Sequence, residues 1–314
     1  MNFARVTLLS TLALVVGGCG PSSDEPGVPA EGSTVLRSQT DDMSRTSTRI
    51  STILNRPWST SFPSVSRLRT RLAAAQAFIE EAAASATDPT KIDALVRKGR
   101  ELVVAPDMPV SRALAAFEYM AHRLDRGTLL DEQLPQAAND AEALGGRGVK
   151  LRSDAWRDGW RFAKERLEAA ITATLAATAD AAAQDARIAD GMMERAVADG
   201  ERLLGEIKAA VVAARDARYR ETLIQKRVVW ARDVAKRAGE KLPPEARAAL
   251  EAASGYADAG LKTDVDAAVA AVFSGNPDAR TRIDALSKTV DGHVTALMER
   301  YLALGRSLGL PDPE

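Results

Sequence analysis

No proline lies between Pro135 and Pro243. Proline is the residue that removes a helix hydrogen bond and clashes with the preceding turn, so its absence over so long an interval permits very long helices. At the centre of the interval, residues 168–187 read EAAITATLAATADAAAQDAR, a stretch dominated by alanine. Alanine has the highest helix propensity of any residue, and its short side chain lets helix axes come close. It also offers little apolar area per residue, so a core made from it is thin and must be long. An aromatic content of only 4% agrees. The interval from Lys150 to Arg237 predicts two or three long helices, with bends at Asp190-Gly191 or Asp199-Gly200.

The helical period extends well beyond this interval. Leu68, Leu72, Ala75, Ile79 and Ala82 recur every three or four residues, as do Val110, Leu114, Phe117, Ala121 and Leu124. Near the carboxyl end Ile283, Leu286, Val290, Val294, Leu297, Tyr301, Leu304 and Leu308 form one seam. Each set lines one helix face and leaves a charged face opposite. Asp88-Pro89 and Asn276-Pro277-Asp278 read as helix starts, a capping side chain followed by a first-turn proline. Breaks are expected at Gly145 to Gly148, at Gly239 to Pro244 and at Ser274 to Pro277. No run alternates β-branched and aromatic residues with polar ones, which argues against strands. The predicted fold is all-α: an elongated helical bundle around a long antiparallel helix hairpin, its period too irregular for a strict heptad coiled coil.

The amino terminus carries a different signal. It reads MNFARVTLLSTLALVVGGC, with Arg5 ahead of an apolar stretch from Val6 to Val16. That stretch has the length of a signal-peptide core and is too short to cross a bilayer, which takes about 20 residues. Val16-Gly17-Gly18-Cys19, a branched aliphatic residue, two small residues and the chain's one cysteine, resembles the lipobox of bacterial lipoproteins. The resemblance implies cleavage between Gly18 and Cys19, diacylglyceryl transfer to the Cys19 thiol, acylation of the new amino group and confinement to the bacterial envelope. Gly20 stands where an aspartate would favour inner-membrane retention, which points to the outer membrane, facing the periplasm. Once Cys19 is lipidated no thiol remains for a disulfide, so packing alone must hold the fold.

Gly20 to Thr34, GPSSDEPGVPAEGST, is rich in Gly, Pro and Ser and buries too little to order itself. The predicted organisation is therefore a signal peptide at 1–18, a lipidated cysteine and disordered tether at 19–44, and one helical domain at 45–314. Within that domain SDAWRDGWRFAKERL, at 153–167, resembles in layout the YiiG-like helical lipoproteins. That resemblance implies the same lipobox, tether and all-helical domain, and supplies no activity.

The chemistry-bearing residues are sparse. The two histidines, His122 and His293, lie in different helical segments, and no second histidine or cysteine stands at ligand spacing. No metal site and no cofactor is expected. Asp41-Asp42, Glu80-Glu81 and Asp131-Glu132 are neighbours of the kind that 43 acids produce by chance. The GGRGVK loop at 145–150 lacks the P-loop ending. With 42 basic against 43 acidic side chains, nothing suggests nucleic acid.

Two basic regions stand out. Between Met43 and Ile79 there is no acid, and Arg45, Arg49, Arg56, Arg67, Arg69 and Arg71 are candidates for contact with an anionic surface. Residues 215–237 form a basic amphipathic stretch whose Tyr219, Leu223, Trp230 and Val234 read as its buried side. Trp156 and Trp160, four apart, read as core anchors. The expectation is a membrane-anchored, non-enzymatic helical scaffold or binding protein, partnered by the membrane through Cys19 and by another envelope protein or the cell wall. The alternatives are a periplasmic ligand carrier or chaperone with an apolar groove, and a cell-wall enzyme, which would need converging carboxyls or a carboxyl beside His122 or His293.

Overall fold

A computed structural model describes residues 30–85, 88–104, 110–173, 179–238, 241–256, 260–275 and 278–310. These form α1 (Ala30–Leu54), a 3₁₀ turn (Pro57–Ser61), α2 (Pro63–Ala84), α3 (Pro89–Val104), α4 (Val110–Ala143), α5 (Val149–Ala173), α6 (Ala179–Ala238), α7 (Pro244–Ser254), α8 (Leu261–Val272) and α9 (Ala279–Ser307). Among the described residues there is no strand. The fold is all-α, as the spacing predicts.

The spine is α6, whose 60 residues span roughly 90 Å at 1.5 Å per residue. It passes through Asp190-Gly191 and Asp199-Gly200 without a break, so neither is the expected bend. Gly200 has another task. A Cβ at this position would lie 2.6 Å from Trp156 Nε1. Gly127 on α4 does the same for Trp160, whose ring would lie 2.2 Å from an added Cβ. The two indoles stack at 6.2 Å on α5. One packs on the bare backbone of α4 and the other on that of α6. Trp156 also donates from Nε1 to the Ala196 carbonyl at 2.7 Å.

Ion pairs give the helix directions. Arg157–Asp131 with Trp160–Gly127, and Arg152–Glu206 with Trp156–Gly200, place α5 antiparallel to α4 and to α6. Arg123–Asp190 and Arg215–Asp140 place α4 parallel to α6. The expected antiparallel long-helix hairpin is therefore α5 with α6, and α4 completes a three-helix unit. The α4–α5 turn runs through Gly145 and Gly148, both at positive φ, a conformation that other residues adopt only with strain.

The carboxyl-terminal half of α6 is reused in a second three-helix unit. α7 and α8 run back along it, and α9 runs parallel to it, as Arg220–Asp291 and the Tyr301 hydroxyl on the Arg227 carbonyl (2.6 Å) record. Asp278 caps α9 by accepting from the amides of Arg280 and Thr281. The cap is thus Asp278, while Asn276 and Pro277 lie outside the described residues. Asp88 caps α3 as predicted, accepting from Thr90 and Lys91. The two units meet at Glu206, which takes Arg152 of α5 at 2.8 Å and Arg282 of α9 at 3.7 Å. Beside it the α8–α9 turn presses Phe273 against Gly146 of the α4–α5 turn.

The amino-terminal helices cover the start of α4 and the end of α5. Trp58, Phe62 and Phe117 form a buried aromatic cluster with centroids 5.3–5.9 Å apart. α2 has no side-chain cap of its own. Glu168 of α5 serves instead, accepting from the Ser64 amide at 2.9 Å and its hydroxyl at 2.5 Å, where a carboxylate also complements the helix dipole. α1 begins at Ala30, inside the segment assigned to the tether. Its anchors lie further on, at Met43, Ile50 and Ile53, while Ser38, Asp41 and Asp42 are exposed. The rest of the tether and the signal peptide lie outside the described residues.

Candidate functional site

Cys19 and Gly18, the lipidation and cleavage positions, lie outside the described residues. The six candidate arginines are described, and they do not form one free patch. Arg49 makes a two-point contact with Glu118 of α4, Nε to Oε1 at 2.8 Å and Nη2 to Oε2 at 2.6 Å. The hydrogen bond from Arg49 holds the Glu118 carboxyl below its ordinary range, against the opposing effect of burial. Arg56 pairs with Asp125 at 2.7 Å, and Trp58 donates to the same carboxylate at 2.9 Å. Arg67 reaches Glu168 at 3.3 Å. These three guanidiniums fasten the acid-free segment onto α4 and α5. Arg71 is half-buried, and Arg45 and Arg69 are exposed.

His122 is exposed, but His293 of α9 stands in a polar chain with Asp264 of α8 and Tyr256, which follows α7. Its Nε2 lies 3.2 Å from Asp264 Oδ2, and its Nδ1 lies 2.7 Å from the Tyr256 hydroxyl. With the Nε2 proton on the carboxylate side, Nδ1 accepts from tyrosine. Arg300 stacks 4.7 Å from the Tyr256 ring centre. Burial raises the Tyr256 hydroxyl above its ordinary value, Arg300 opposes this and Asp264 adds to it. This is the carboxyl beside a histidine that a catalytic reading requires. Tyr256 is 7% exposed, whereas the Asp264 side chain at the other end of the chain is 56% exposed. The arrangement ties the residues just after α7 and the first turn of α8 to the middle of α9.

The surface of α6 differs from the sequence expectation. Tyr219 and Trp230 are 64% and 52% exposed, and Leu223 is also exposed. The buried side is instead Ala214, Ala217, Ile224, Val228 and Ala231, three alanines interleaved with two β-branched residues. Val212, Tyr219, Leu223 and Trp230 are separated by seven, four and seven residues. At 3.6 residues per turn they return to within about 20° of one line. That line runs opposite the buried face. Lys208, Lys226 and Arg227 border it, exposed and without an ion pair among the described residues. Arg220, Arg227 and Leu223 also line a groove of about 290 Å³ that ends on Met298 of α9. The signal for this face was present in the sequence as a second apolar set, but aromatic side chains drew the assignment to the core.

Other concavities are open grooves between helices. One of about 570 Å³ runs between α5 and α6 past Trp156, Gly159, Met192 and Leu203. Another of about 630 Å³ lies between α8 and α9. Among the described residues no cluster of His, Cys, Asp and Glu could hold a metal ion, and no helix is long and apolar enough to cross a membrane. No family model, no curated protein and no solved structure matches the chain.

Proposed function

We propose that this chain is a lipid-anchored, non-enzymatic helical scaffold of the bacterial envelope, held through Cys19 and presenting long helical faces to another envelope protein or to the cell wall. One observation supports the scaffold reading above others: α6 continues unbroken through two three-helix units. A helix shared in this way couples the units into a rod, and rods set distances and display surfaces. The anchor reading is supported by the Val16-Gly17-Gly18-Cys19 sequence. Several acyl chains on one cysteine give lasting attachment, where one chain gives only marginal binding.

The carrier alternative has one feature in its favour, the α5–α6 groove with its floor of Trp156, Met192 and Leu203.

Cys19→Ser tests the anchor. The variant is expected to leave the membrane fraction, and the wild-type product to carry acyl chains on Cys19 by mass spectrometry. Unchanged fractionation together with a bare thiol would overturn the proposal.

A further inference from the structure

We infer that the exposed face of α6 over residues 208–230 is a docking surface for an anionic phospholipid bilayer. Three observations carry this. First, the face holds large apolar side chains that the fold leaves uncovered: Val212 is 67%, Tyr219 64% and Trp230 52% exposed. Large exposed apolar side chains aligned on one helix face are the kind of feature that marks an interaction site. Second, two of the four are Tyr and Trp, whose rings have an apolar body and a polar edge and settle at the boundary between acyl chains and head groups. Third, the border is cationic and unspent. Lys208, Lys226 and Arg227 are exposed and lack ion pairs among the described residues, whereas Asp216 on the same face is neutralised by Arg220 at 2.8 Å. Long cationic side chains beside an apolar line lie along it and reach out to phosphate.

Charge decides between occupants. A second copy of this chain would bring the same cations against themselves. A neutral bilayer would leave them unmatched, and an anionic surface matches them. The inference rests on the proposed anchor for proximity alone: a chain tied to the membrane already holds this face at high local concentration beside the lipid. The rod would then lie along the bilayer on α6, with α4 and α5 facing away from the contact.

The four tryptophans make the test specific. Trp58, Trp156 and Trp160 are buried, so Trp230 is the indole that can respond to lipid. The full-length chain and its Cys19→Ser variant are mixed with vesicles of phosphatidylcholine, with or without phosphatidylglycerol, carrying brominated acyl chains. Expected on the phosphatidylglycerol vesicles are a blue shift and bromine quenching, both relieved by salt and both absent in Trp230→Phe. Lys226→Glu with Arg227→Glu should weaken partitioning at least tenfold with an unchanged helical dichroism spectrum. Retention on neutral vesicles without quenching on anionic ones would overturn this inference and leave the anchor standing. Quenching on anionic vesicles by a chain that neutral vesicles do not retain would support the inference and count against the anchor. A concentration-dependent blue shift in the absence of lipid would assign the face to a second copy and overturn the inference.

Discussion

Glycine in this protein has two unrelated roles at the residue scale. Gly127 and Gly200 sit mid-helix, where glycine costs about 1 kcal/mol relative to alanine. They are there because Trp160 and Trp156 occupy the space a Cβ would need, at 2.2 Å and 2.6 Å. Gly191 and Gly205 are also helical, and nothing lies within 4 Å of an added Cβ. The same substitution therefore has opposite signs. Gly127→Ala and Gly200→Ala should destabilise by about 1–3 kcal/mol through overpacking. Gly191→Ala and Gly205→Ala should stabilise by up to about 1 kcal/mol. Thermal melts of the four variants check this, and a uniform sign would refute the close-packing account. The sequence reading took Gly191 and Gly200 alike as candidate bends, because a contact between residues 33 or 44 positions apart leaves no local mark. The tryptophans themselves were legible, since Trp156, Trp160, Ala163 and Leu167 keep helical spacing and are all buried. The Asp264–His293–Tyr256 chain was not legible for the same reason that the glycines were not: its members come together only after three helices have packed.

Individual elements were legible where one face was apolar and the other charged. In α2 Leu68, Leu72, Ala75, Ile79 and Ala82 are all buried, as their spacing predicted. In α6 the reading failed because two faces carry apolar residues, one of alanines with Ile224 and Val228 and one that bears the aromatic Tyr219 and Trp230. The aromatic set offers more area per side chain, but the set that carries the alanines allows closer helix approach, and it is the one buried. The consequence is measurable. Ile224→Ala removes a side chain that is 3% exposed and should cost about 2–4 kcal/mol. Tyr219→Ala, one turn away, should change stability by no more than about 0.5 kcal/mol. Urea titrations of both variants decide it. If Tyr219→Ala proves the costlier change, the orientation of α6 is wrong and so is the exposed face on which the membrane contact depends.

The behaviour of the whole molecule turns on how its two three-helix units are joined. They share α6, but a shared helix alone can bend, and most of the ion pairs along it are exposed enough to contribute little. The joint has a better-protected contact. Arg282 has a side chain only 5% exposed. It donates to the Val272 carbonyl at 2.5 Å and lies 3.7 Å from Glu206, which also holds Arg152. One carboxylate on the spine thus ties the last helix of the second unit to the return helix of the first, beside the Phe273–Gly146 contact. Removing it leaves the buried Arg282 guanidinium on the Val272 and Asp278 carbonyls without a counter-charge, for which the cost is on the order of 3 kcal/mol. The loss falls on the joint and not on either unit's own core. Glu206→Ala should therefore do more than lower the melting temperature: it should separate one cooperative transition into two, with a calorimetric enthalpy exceeding the van't Hoff value. Glu206→Gln keeps an acceptor for both arginines without the charge and should fall between the two. A single transition in Glu206→Ala at the wild-type temperature would mean that α6 alone carries the coupling, and that the rod owes its continuity to the backbone of one helix.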